Sequence, residues 1–172
     1  LGALKLSPPR PLTPSDRCDD FRCGKAELDH WLIRRAHRNE TAGHSRTYVV
    51  TAPDSSDVLA YYSLAAGAVA RSSARKSDQR NAPDPIPAII LARLAVHVDV
   101  RAAVKGTGRH LLRDALIRAT AAADTVGARA LVVHAIDEAA ADFYRANGFE
   151  PSPDDPLLLF TGFGTVRKAL LP

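Results

Sequence analysis

The 172-residue chain has no methionine, two cysteines, one tryptophan and no apolar run near the ~18 residues that mark a spanning helix. Each shortage excludes something. Cys18 and Cys23 have four residues between them and no second Cys or His pair follows at zinc spacing, which argues against a disulfide framework or a structural zinc site and fits a reduced compartment. The N-terminal Leu-Gly-Ala-Leu-Lys-Leu is too short and too soon followed by proline to be a signal h-region, so a cytoplasmic protein with no membrane partner is expected. With no methionine the initiator is missing or removed, and a trimmed or mature form is expected. Lysine is scarce too, five against 23 basic residues in total. Arginine suits phosphate and guanine better than lysine does, although a GC-rich genome would give the same bias. The length fits one domain over residues 1–172, without internal repeats or a dividing linker.

What is present is organised around Ile89 to Leu116. From Ile89 to Val98 branched apolar residues predict a buried strand, and the spacing of Leu111, Leu112, Ala115, Leu116 and Ala119 predicts a helix that ends near Gly127. Between them, Lys105-Gly106-Thr107-Gly108-Arg109 can turn tightly and expose successive N–H groups at a helix N-terminus. Such a corner suits a phosphate, and it also occurs as a plain turn.

Upstream, Leu4 to Leu6 reads as a first strand ended by the proline-rich Ser7 to Pro14. Lys25 to Asn39 reads as a helix broken at Gly43, with Leu28, Trp31, Leu32 and Ala36 as its buried stripe and Arg34, Arg35 and Arg38 largely on other faces. Arg46 to Ala52 and Val58 to Val69 should form a hairpin across the turn Pro53 to Asp57. Ala70 to Pro87, with Arg71, Arg75, Lys76 and Arg80, reads as a basic loop, either solvated or facing a polyanion. Downstream come a buried strand from Ala130 to Ala135 and a helix capped by Asp137 and stopped at Asn147-Gly148. Phe149 to Leu171 should add one or two closing strands.

The segment Asp142-Phe-Tyr-Arg-Ala-Asn-Gly-Phe149 resembles the last motif of the GNAT acetyltransferases, and Gly106-Thr107-Gly108 opening the earlier helix strengthens that likeness. A narrower resemblance spans nearly the whole chain from Asp16 onward. Phe21-x-Cys23-Gly24, Trp31-Leu32, Ser45-Arg46-Thr47-Tyr48-Val49, Pro83-Asp84-Pro85-Ile86-Pro87, Arg93-Leu94-Ala95-Val96, Leu112-Arg113-Asp114-Ala115-Leu116, Val133-His134-Ala135-Ile136-Asp137 and Pro151-Ser152-Pro153 are similar to the TacT and AtaT group of type II toxins.

That resemblance implies an α/β GNAT fold: a mixed, mostly antiparallel sheet with a splayed parallel strand pair, flanked by helices. It implies transfer of acetyl from acetyl-CoA to the amino group of aminoacyl-tRNA, inhibition of translation, and neutralisation by a ribbon-helix-helix antitoxin through which alone DNA is contacted. A homodimer is expected, as in these toxins. Tyr144 would be the acid, backbone N–H groups at Leu94, Ala95 and Val96 would polarise the thioester, and Ala103, Val104, Lys105, Gly106, Thr107, Gly108 and Arg109 would surround the pyrophosphate. Candidate RNA contacts are Arg34, Arg35, Arg38, Arg46, Arg71, Arg75, Lys76, Arg80 and Arg93; Arg93 could equally pair with an acid. No metal is expected, because His97, Asp99, His110 and His134 have neither the spacing of a zinc helix nor that of a triad.

One departure stands out. In this family the coenzyme loop reads Gln/Arg-x-x-Gly-x-Gly/Ala, most often with glycine after the first residue, and here Ala103 and Val104 occupy those two places. Ala103 lacks the polar side chain, while Val104 should resist a positive φ and crowd the pyrophosphate. Weakened coenzyme binding follows as an expectation. The alternatives are a GNAT enzyme acting on a protein or small-molecule amine, and an inactive GNAT kept as a component of an antitoxin or DNA complex.

Overall fold

A computed structural model describes residues 3–170 of the chain. In order, its elements are β1 (Arg10–Pro11), α1 (Ala26–Ala42), β2 (Arg46–Val50), β3 (Ala60–Val69), a 3-10 turn (Arg71–Ser73), α2 (Lys76–Gln79), β4 (Ile86–Val96), α3 (Val98–Ala103), α4 (Thr107–Val126), β5 (Ala130–His134), α5 (Glu138–Ala146), β6 (Glu150–Pro151), β7 (Leu158–Gly162) and α6 (Phe163–Leu170). The strands form a seven-stranded sheet in the order β1-β2-β3-β4-β5-β7-β6, antiparallel in its β1/β2, β2/β3, β5/β7 and β6/β7 pairs and parallel between β4 and β5. This is the expected mixed, mostly antiparallel α/β sheet. The backbone groups into two compact units, Leu1–Leu64 with Arg93–Ala115, and Ala65–Ala92 with Leu116–Pro172.

In the first unit, α1 forms where its periodicity places it. Trp31, Leu32 and Ala36 are buried with Leu28 packed against them, and Gly43 ends the helix at φ 75°, a conformation that glycine takes without strain. The predicted hairpin is present, β2 pairing with β3 from Arg46↔Leu64 to Val50↔Ala60. Its inward side chains join Leu12, Cys18, Phe21, Cys23 and Ala95 in one core with α1. Large side chains buried there contribute roughly 1.5–3 kcal/mol each.

Two expectations in this unit are corrected. Leu4 to Leu6 is not a strand; Leu4 is exposed and the segment has no regular structure. The first strand lies instead inside the proline-rich stretch, where Arg10↔Val49 and Pro11↔Tyr48 make a two-residue edge, a position that tolerates proline because its missing N–H is not needed by a further neighbour. The strand expected to reach Val98 stops at Val96. Three polar contacts turn the chain: His97 N–H donates to the Leu59 carbonyl at 2.8 Å, Val98 N–H donates to that of Arg22 at 2.8 Å, and His97 Nδ1 accepts from Asp99 N–H at 3.2 Å. The short helix α3 follows, disguised in the sequence by its β-branched valines.

The second unit corrects two more. Ala70 to Pro87 is not a single loop, since it holds the 3-10 turn, α2 and the start of β4, tied down by a hydrogen bond from Ser152 Oγ to the Ser73 carbonyl at 2.6 Å. In the closing segment β6 and β7 are strands, but Phe163–Leu170 is a helix, with Phe163 and Val166 buried one turn apart; Leu171 lies outside the described residues. The unit's core gathers Val69, Ala74, Ile86, Ala88, Val132 and Phe160. Here β4 and β5 run parallel only from Ala88↔Ala130 to Ile90↔Val132. β5 nevertheless continues to His134 against β7, so the parallel pair parts after three residues.

Candidate active site

The glycine-containing corner lies in the first unit between α3 and α4. Gly106 has φ 82°, in the left-handed region that favours glycine. At the start of α4, His110 N–H donates to the Gly106 carbonyl at 3.0 Å, so the N–H groups of Thr107, Gly108 and Arg109 sit in the turn where a helix leaves its donors without intrahelical partners. Lys105 and Arg109 are exposed, and the Thr107 hydroxyl closes the corner by donating to the Val104 carbonyl at 2.9 Å. Donors and cations of this kind fit a diphosphate.

The expected strain at Val104 is absent. Val104 has φ −127° and ψ 98°, ordinary extended backbone, and its N–H donates to the Val100 carbonyl at 2.7 Å. Ala103 closes α3 with an exposed side chain. What sets this corner apart is therefore the missing polar group at Ala103 and the bulk of Val104, not a forbidden conformation.

In the second unit, Asp137 caps α5 as predicted, its carboxylate accepting the Ala140 N–H at 2.9 Å. Asn147 and Gly148, the latter at φ 91°, end the helix. Tyr144 is 5% exposed, packed edge-on between Phe143 at 5.2 Å and Phe149 at 5.4 Å. Burial pushes its phenol above the usual tyrosine range. The group is a firmly protonated acid held in an apolar wall.

The basic residues divide by what they already hold. Arg75 is committed to Asp78 at 2.7 Å and Glu150 at 2.5 Å. Arg46 donates to the Glu40 carbonyl at 3.1 Å and reaches its carboxylate at 3.5 Å, and the Arg71 guanidinium donates to the Ala82 carbonyl at 3.3 Å. Arg34, Arg35, Arg38, Lys76 and Arg80 are exposed.

Arg93 stands apart. Half-buried, it lies over the Trp31 ring with its guanidinium carbon 4.3 Å from the centroid. Burial holds it below its ordinary pKa and Arg35 adds to that penalty, while Tyr61 and Glu27 act the other way. With Glu27, His30, Trp31, Arg34, Arg35 and Asn39 it lines a cavity of about 830 Å³. Sequence reasoning placed the three arginines on the surface but missed this cavity; the signal was available in the i, i+3/i+4 recurrence of Glu27, His30, Trp31, Arg34 and Arg35. A second cavity of about 380 Å³ has Arg17, Asp19, Asp20, Asp57 and His97 among its lining residues, and no group of three or more His, Cys, Asp or Glu side chains among the described residues could hold a metal. No described helix is long and apolar enough to cross a membrane.

No protein-family model matches the chain. It is 44% identical over 153 residues to a tRNA-acetylating toxin of Mycobacterium tuberculosis (strain ATCC 25618 / H37Rv), covering 89% of this chain and 90% of that protein. It is 28% identical over 171 residues to a probable toxin TacT of Sinorhizobium fredii (strain NBRC 101917 / NGR234), covering 93% of each. Among solved structures, AtaT complexed with acetyl-methionyl-tRNAfMet superposes with a TM-score of 0.87 at 26% identity over 97% of this chain and 100% of that one. AtaTR bound with acetyl-CoA superposes with a TM-score of 0.79 at 25% identity, covering 96% and 98%.

Proposed function

Because the chain belongs to the TacT/AtaT-like GNAT acetyltransferase toxins, we propose that it moves the acetyl group of acetyl-CoA onto the amino group of aminoacyl-tRNA and thereby blocks translation. The observation that carries this reading is the 44% identity to a tRNA-acetylating toxin across 89% of the chain.

The residues support that chemistry. Acetyl-CoA supplies an activated acyl carbon and a thiol leaving group. The carbon–nitrogen bond forms as the carbon–sulfur bond breaks, the amine gives up one proton and the sulfur takes one. Tyr144 hands the sulfur its proton and regains one lost by the amine through solvent. An α-amino group titrates near about 8, and lower when the neighbouring carboxyl is esterified, so the acceptor is already largely neutral and no strong side-chain base is required. Backbone N–H groups at Leu94, Ala95 and Val96 polarise the carbonyl, in the strand whose pairing with β5 parts after Ile90. The N–H groups of Gly106, Thr107, Gly108 and Arg109, with the Lys105 cation, take the diphosphate.

The same reading makes the chain one GNAT domain over residues 1–172, cytoplasmic and homodimeric. It is neutralised by a ribbon-helix-helix antitoxin that alone carries it to DNA. Ala103 favours a second reading in which coenzyme affinity is reduced, and a chain whose affinity had vanished would survive only as a component of the antitoxin complex. One experiment separates these readings from acetylation of a protein or small amine: labelled acetyl-CoA and total charged tRNA are supplied to this chain and to Tyr144→Phe. Label on the aminoacyl group, lost in the variant, is the expected result; unlabelled tRNA with a full complement of bound coenzyme would sink the assignment.

A further inference from the structure

The two grips on the coenzyme lie in one compact unit, separated by a single short helix. Leu94, Ala95 and Val96 end β4, the corner opens at Lys105, and α3 (Val98–Ala103) fills the gap between them. Left to itself this segment would not be a helix. Six residues make too few hydrogen bonds to offset the cost of nucleation, and Val98 and Val100 resist helical backbone. Wound as a helix, the segment covers ~9 Å along its axis, whereas the same residues drawn out would cover up to ~20 Å. The separation of the grips therefore depends on whatever keeps α3 wound.

Contacts with distant segments do this. The ring of His97 caps the helix, Nδ1 accepting the Asp99 N–H at 3.2 Å, and the ring is itself held edge-on to Phe21 at 5.9 Å. His97 N–H donates to the Leu59 carbonyl and Val98 N–H to that of Arg22, both at 2.8 Å. From the exposed side Arg101 reaches back, its guanidinium donating to the Cys23 carbonyl at 3.0 Å. The line of bonds then continues into the corner. Arg101 N–H donates to the His97 carbonyl at 2.9 Å, Val104 N–H to that of Val100 at 2.7 Å, and the Thr107 hydroxyl to that of Val104 at 2.9 Å. We infer that α3 is a fixed spacer between the carbonyl-polarising end of β4 and the diphosphate corner, with His97 and Arg101 as its positioning residues, so that one molecule of acetyl-CoA meets both grips at once. The inference rests on the proposed acetyl transfer and adds the residues that set the distance between its two halves. A ligand held at two linked points gains from the second contact because it is intramolecular, and that gain fades when the spacing varies. A ligand held at one point does not feel the spacing.

That distinction supplies the test. Acetyl-CoA, which spans both grips, and 3′-phospho-ADP, its nucleotide half, which occupies the corner alone, are titrated calorimetrically into the full chain and its variants. His97→Leu removes the cap and should weaken acetyl-CoA binding by about five-fold with the affinity for the nucleotide unchanged. His97→Asp, which supplies another capping oxygen, should restore it. Arg101→Ala, at an exposed position, should reproduce the split in a chain whose core is untouched, so the test survives a His97→Leu chain that fails to fold. In steady-state kinetics both weakened variants should raise KM for acetyl-CoA and leave KM for aminoacyl-tRNA alone. Equal loss of both ligands would mean that the corner itself has deformed, and unchanged acetyl-CoA binding would mean that α3 stays wound without these contacts; either result overturns the spacer. A native chain that binds neither ligand defeats the coenzyme corner and the spacer with it. Split affinities in a chain that labels no aminoacyl-tRNA defeat the proposed reaction and leave the spacer standing.

Discussion

Tyr144 shows how one residue's surroundings set its use. Its ring is packed against Phe143 and Phe149, and burial raises its pKa, so the phenol stays protonated at any working pH, as the proposed acid must. Tyr144→Phe keeps the ring contacts and should lower kcat by roughly 10²–10⁴ with little change in KM for acetyl-CoA, as steady-state kinetics will show. The wild-type kcat profile should have no alkaline limb below about pH 10, because burial shifts the phenol upward from that value; a limb near pH 8 that disappears in the phenylalanine variant would exclude the role. The two thiols obey the same physics without chemistry. Burial pushes Cys18 and Cys23 up to about 11 from 9.0. Each therefore contributes stability that is complete below pH 9 and fades as pH rises through about 11, roughly 2 kcal/mol or less per thiol. Thermal melts across that window should fall less steeply for a Cys18→Ala, Cys23→Ala chain.

Elements decide what the corner between α3 and α4 can do. Because Val104 is extended and its N–H is bonded to Val100, Val104→Gly has no strain to relieve and only loosens the end of α3. Ala103→Gln restores a polar group at an exposed position. Isothermal titration with acetyl-CoA should show a several-fold gain for Ala103→Gln, since one added hydrogen bond is worth about 1 kcal/mol, and little gain for Val104→Gly alone. Equal affinity of Ala103→Gln and the native chain would end the idea of a weakened loop. The sequence carried this corner's two glycines and the helix that follows, because both are local signals. It did not carry α3, whose valines read as strand until His97 is seen turning the chain through contacts with distant Leu59 and Arg22.

For the whole molecule, the net charge of +4 understates the attraction expected for the proposed RNA substrate. The acids pair off much of the basic surface, as Asp78 and Glu150 do with Arg75, while the α1 arginines keep their charge exposed. Affinity for tRNA should therefore fall steeply between about 50 and 200 mM salt, while the affinity for acetyl-CoA, a far smaller polyanion, falls less. Filter binding or kinetics at graded ionic strength measures both, and a flat tRNA profile would remove the arginine surface from the mechanism.

What the sequence alone determined was everything that near neighbours in the chain dictate: the stripe of α1, the β2/β3 hairpin, the cap and stop of α5 and the glycine corner; the GNAT character came from the resemblance of its motifs to a known family. Tertiary structure alone decided which arginines are spent on internal carboxylates, that Val104 is relaxed, and that Arg93 lies on Trp31 in a cation-lined cavity. The reason is physical. Helix and turn signals are set by residues within about four positions of one another, whereas the electrostatic fate of a side chain depends on which distant groups the folded backbone brings against it.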